Sequence, residues 1–201
     1  MIAAAFWAHF NLLMRFDSQA FGPIFGPLLA DAPLNELGPG TPDCGAAEKL
    51  GGLSLEAAFA PHAIADRQMA DACLAGLWLM YDCLDESHRI SQEIETPSGS
   101  YWHGIMHRRE PDFDNAKYWF RRVGQHPIFG RLAEAAREIA EVNPADRAAA
   151  FLLEQSAWDP FRFVDLCAAA EQGRSDADEL CRLVQQAECR LLFEFCHKRA
   201  V

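Results

Sequence analysis

Apolar residues recur every three or four positions along much of this 201-residue chain, and no run alternates apolar with polar residues for long enough to make a strand. Met69, Cys73, Leu77, Met80 and Leu84 carry the pattern in one segment, Leu132, Ala136 and Ile139 in a second, and Leu180, Val184, Ala187, Leu191 and Phe195 in a third. Such a period gives each segment one buried stripe, which only packing against other helices can cover. The expected fold class is all-α, an irregular single-domain bundle of about seven to nine helices.

Punctuation residues divide the chain further. Thr96 and Pro97 look like an N-cap and a proline at the first helical position, so a short helix should run from there, or from Ser100, to Arg109 and stop before Pro111. Asp112 or Asp114 caps the next helix, Gly124 ends it, and Pro127 lies just beyond. A helix follows from Phe129 to Val142, then others over 145–156, 160–172 and 175–198. The run from Ala63 to Leu84 is apolar on nearly all sides between Cys73 and Tyr81 and reads as a central helix, so residues 63–199 form the helical core. Residues 22–52 hold Gly22, Pro23, Gly26, Pro27, Pro33, Gly38, Pro39, Gly40, Pro42 and Gly45, and read as a connecting loop. Residues 1–20 read as an N-terminal amphipathic helix with Phe6, Phe10 and Leu13 on its buried side, because the stretch lacks a basic start and an apolar run long enough to span a membrane.

Composition narrows the partners. A net charge of −11 provides no field to attract phosphates, so neither nucleic acid nor an anionic membrane is an expected partner. The seven cysteines are an odd number and include no C-x-x-C pair, which points to reduced, mostly buried thiols and a cytoplasmic location.

The chemistry-bearing residues concentrate between Tyr81 and Phe129. That stretch holds His88, His103, His107 and His126, all 3 tyrosines, Trp102 and Trp119. Arg89, Arg108, Arg109, Lys117, Arg121 and Arg122 lie there too. Polar groups beside aromatic ones are the character of a small-molecule pocket. The run SGSYWHGIMHRREPDFDNAKYWFRRVGQHP, with DESHRISQEIETPSGSYWH as its upstream part, resembles a family of uncharacterised, mainly bacterial proteins over roughly residues 66–129. The resemblance implies that this stretch is the family's signature, and it implies no reaction.

Two chemistries suit these residues. In the first, His103 and His107 stand four apart on one helix face and bind a divalent metal (zinc, iron, manganese or nickel), with Glu110 as a third ligand and Glu86, His88 or Glu93 completing the sphere. Gly104 stands where a metalloprotease motif needs glutamate, so that motif is absent. In the second, Ser98 and Ser100 at a helix N-terminus bind an anion together with Arg108, Arg109 and Arg122, Trp102 and Trp119 form the apolar wall, and His103 or His107 acts as general acid or base. The expected function is accordingly an enzyme acting on a small polar or anionic metabolite, with His103, His107 and Glu110 as catalytic groups. The alternative is a non-catalytic interaction protein, because Ala116, Tyr118, Phe120, Val123 and Pro127 are similar in order to the second helix of a tetratricopeptide unit. No G-x-S-x-G or G-x-G-x-x-G is present, and Cys83, behind an apolar run, reads as a structural thiol.

Overall fold

The computed structural model describes residues 16–201; among them there are eleven α-helices, two short 3-10 turns and no strand. The helices are α1 (Gly22–Asp31), α2 (Cys44–Gly51), α3 (Leu55–Phe59), α4 (Arg67–Met80), α5 (Leu84–Ser91) and α6 (Pro97–Arg109). After them come α7 (Phe113–Val123), α8 (Phe129–Val142), α9 (Phe151–Glu154), α10 (Pro160–Glu171) and α11 (Asp178–Ala200). The all-α expectation holds, with more and shorter helices than the sequence suggests. None is long and apolar enough to cross a membrane among the described residues. Of the amphipathic helix expected over residues 1–20, residues 1–15 lie outside the described residues, and Ser18–Phe21 form a 3-10 turn.

The Gly/Pro-rich segment is not one loop, because it contains α1 and α2. Pro23 sits in the first turn of α1, where its missing N–H costs nothing, and only Pro27 interrupts the ladder. Burial offsets that loss: Phe25 is fully enclosed, edge-on to Phe59 at 5.0 Å and to Phe193 at 5.5 Å. Between the two helices, residues 32–43 are irregular yet tied down, since long side chains reach their carbonyls. Arg182 donates to Leu34 and Asn35, Gln185 to Glu36, and Gln186 to Pro33.

The expected central helix also divides. α4 stops at Met80, Asp82 takes a left-handed conformation at φ +61°, and α5 departs in a new direction. Arg109 makes this elbow. Its guanidinium donates to the carbonyls of Gly38, Pro39 and Leu79 and to Asp82 Oδ1 at 2.6 Å. Asn35 bonds the same carboxylate oxygen at 2.7 Å. Gly40 is required opposite, because a Cβ there would stand 2.5 Å from the Asp82 carboxyl carbon.

α6 begins as its caps predict, with the Thr96 side chain accepting from Gly99 N, and is buried from Ser98 to Arg109. Glu110 to Asp112 turn the chain into α7, whose N-cap Asp112 accepts from Asn115 N. α6 and α7 thus form a helical hairpin. α11 seals the other side of α6: Arg108 meets Glu188 at 2.5 Å with both side chains fully enclosed, and Tyr101 Oη donates to the second Glu188 oxygen at 3.0 Å.

Candidate functional site

His103 and His107 lie one turn apart on α6, as their spacing predicts, and α5 brings His88 against both. The ring centroids are 4.7 Å apart for His88 and His103, 5.2 Å for His88 and His107, and 4.7 Å for His103 and His107. One ligand-capable nitrogen from each ring lies within 4.8 Å of the other two. His88 meets both of the others nearly edge-on, at 78° and 70°. It is half-buried, whereas His103 and His107 are buried.

α7 covers the flat faces of the two α6 rings. Trp119 stacks on His103 at 3.9 Å and 13°. One turn away, Asn115 Nδ2 lies 3.4 Å from Nδ1 and 3.1 Å from Nε2 of His107. An atom nearly equidistant from the two nitrogens, and not in collision with the carbon between them, must stand over the ring face. The Asn115 amide therefore leaves the Nε2 lone pair of His107 open in the ring plane. His107 Nδ1 is engaged in that plane by Glu110 Oε2 at 3.0 Å. His103 Nδ1 is buried with no hydrogen-bond partner, an expensive condition for a polar atom.

Burial favours the neutral form of the two α6 rings. Burial first, and then the neighbouring His107 and His88, push the His103 pKa down to about 3. Burial also lowers that of His107, although Glu110 works against it. Neutral imidazole is the form that binds metal, so at neutral pH His103 and His107 need not lose a proton first.

The other expected site residues are placed elsewhere. Glu110 is no member of the nitrogen cluster; it reaches only the Nδ1 side of His107. Glu86, two residues before His88 and so on another face of α5, lines a small depression with Asp82, Cys83 and Asp85. Glu93 is exposed in the turn after α5. The anion pocket is not assembled. Ser98 and Ser100 are buried at one end of α6 and Arg108 and Arg109 at the other, about 15 Å away at 1.5 Å per residue. Ser98 Oγ pairs with His126 Nε2 at 3.1 Å, and both arginines are committed to the interior. Since Ile128 N donates to Nδ1 of His126, Nε2 carries the proton and Ser98 accepts, which is a structural pair rather than a nucleophile and its base. Trp102 is fully enclosed, its ring lying over Gly76 of α4. Arg122 is exposed and covers Trp119 at 5.2 Å, while His103 occupies the stacking face of the same indole. The Cys83 thiol, its pKa pushed up to about 11 by burial and by Glu86 and Asp82, is no nucleophile at neutral pH.

Asn115 escaped the sequence reading. In a hairpin turning at Glu110 to Asp112, antiparallel pairing of His103 with Trp119 also pairs His107 with Asn115, so the signal lay in the register. No family model, curated protein or solved structure matches the chain.

Proposed function

We propose that the protein is a divalent-metal enzyme acting on a small polar metabolite, with His88, His103 and His107 as the metal ligands. The observation that carries this reading is the meeting of three ligand nitrogens within 4.8 Å, one ring being buried with an unpartnered Nδ1. Zinc bound at about 2.0 to 2.1 Å would bring tetrahedral nitrogens to about 3.4 Å from one another, so the cluster closes with movements on the order of 1 Å. Side-chain rotation of the half-buried His88 supplies them. An all-imidazole set suits zinc, and also iron, nickel or copper.

Three protein ligands leave a fourth position for water or substrate, the arrangement of catalytic rather than structural sites. A metal there would supply Lewis acidity or an activated water. The chain's own contribution is to hold three imidazoles together, to keep the two on α6 neutral and shielded under Trp119 and Asn115, and to leave the His88 side toward solvent. An oxygen-bearing metabolite is the substrate class such a position accepts.

Protein purified without a histidine tag should contain near one equivalent of metal by elemental analysis, and His88→Ala, His103→Ala and His107→Ala should each lose most of it. Turnover of small ester, amide or phosphate substrates should disappear with chelator and return with metal. Wild-type protein that contains no metal and whose melting temperature ignores added zinc, manganese, nickel and iron would reduce the three rings to an aromatic cluster.

A further inference from the structure

We infer that Glu110 is a positioning residue of this centre: it fixes His107 as the Nδ1–H tautomer and thereby presents Nε2 to the metal. The inference rests on the metal reading above and assigns a role that the ligand set alone does not contain. Its ground is the directionality of the contacts around His107. Glu110 Oε2 lies 3.0 Å from Nδ1, and a carboxylate only accepts, so the proton resides on that nitrogen. The Asn115 amide, lying over the face rather than in line with Nε2, does not compete for the second lone pair. The ring is packed on both sides: His103 stacks near it at 4.7 Å, His88 stands edge-on, and it is itself buried.

The sequence delivers this carboxylate from the end of the same helix. Glu110 is the C-cap of α6, its N–H bonding Met106 O, three residues past His107 and so on the same side. That bond and the turn into α7 fix the backbone from which the carboxylate reaches Nδ1. A carboxylate on the far nitrogen raises the basicity of a ligating imidazole and holds its plane toward the ion, and removing such a partner typically weakens metal binding 10- to 100-fold. The Glu110 side chain is 34% exposed, so its removal need not disturb the core.

Glu110→Ala, which removes the acceptor altogether, tests this with two readouts. Long-range proton–nitrogen NMR on metal-free protein, histidines labelled with 15N, should report His107 as Nδ1–H in the wild type and as a mixture or Nε2–H in the variant. Zinc titration should show 10- to 100-fold weaker binding by the variant, with unchanged stoichiometry at saturation and an unchanged metal-free melting temperature. A wild-type Nε2–H tautomer, or equal zinc affinity in the two proteins, overturns the positioning role while the metal site stands. An Nδ1–H wild type that binds no zinc overturns the metal reading, and the positioning role with it.

Discussion

Two adjacent arginines with the same charge do different work on the two sides of α6. Arg108 is enclosed against Glu188 and Gln185, and Arg109 fastens the elbow between α4 and α5 through Asp82 and three carbonyls. Truncating Arg109 strands a carboxylate and empties those carbonyls, a loss on the order of 3 to 5 kcal/mol. Arg109→Gln should therefore lower the urea midpoint severely, while Arg122→Gln, exposed on α7, should stay within about 0.5 kcal/mol of wild type. Equal, small effects of the two changes would mean that Arg109 is a replaceable surface charge. Asp82 was readable as an Arg109 partner, since both lie in the polar segment. Glu188 was not, because nothing in a regular apolar stripe some 80 residues away marks one glutamate as buried. The His103 and His107 pair was legible from its spacing alone, and spacing put Glu110 beside His107 as well, but not that its carboxylate would take Nδ1 instead of joining the ligand cluster.

At the scale of elements, caps and periods located most helix ends: Thr96, Asp112 and Gly124 stand where the sequence places them, and α8 runs from Phe129 to Val142 as expected. The failures have a common cause. Proline and glycine density over residues 22–52 argues against helix locally, yet the burial of Phe25 and Leu29 and the carbonyl-binding side chains of α11 decide the outcome from far along the chain. The break at Asp82 is likewise imposed by Arg109. Glycine positions test how α4 and α6 meet. A Cβ at Gly76 would lie 2.5 Å from the Trp102 ring, and Trp102 directly precedes the proposed ligand His103 on α6. Gly76→Ala should cost about 1 to 3 kcal/mol by overpacking and should loosen metal binding as α6 shifts. Gly130, near the start of α8, has open space around the same atom, so Gly130→Ala should be neutral or stabilising by up to about 1 kcal/mol. Chemical denaturation of the two variants side by side gives the comparison, and a tolerated Gly76→Ala would mean that α4 and α6 are not in close contact at Trp102.

For the molecule as a whole, two electrostatic effects oppose each other on acidification. The net charge of −11 at pH 7 falls toward zero near the pI of 5.0, which relieves self-repulsion and favours the folded state. Against this, burial holds His103 down to about 3 and His126 to about 4, and lowers His107 and His197 as well. Unfolded histidines titrate near 6.5. Below that pH the unfolded chain takes up protons that these four rings refuse, so stability falls as pH drops and continues to fall until the folded-state values are reached. Each such histidine contributes a slope of up to about 1.4 kcal/mol per pH unit, whereas the relief of repulsion is spread over exposed, salt-screened charges. The histidines should win. With chelator present, the urea midpoint should be flat above pH 7 and decline steadily from pH 6.5 to 4. His126→Asn, which removes one refused proton, should flatten the decline by about one proton's slope even though its midpoint at pH 7 is lower. A midpoint that rises toward pH 5 would show that global charge outweighs the buried imidazoles, and would remove the ground for treating His103 as a neutral ligand ready for metal at physiological pH.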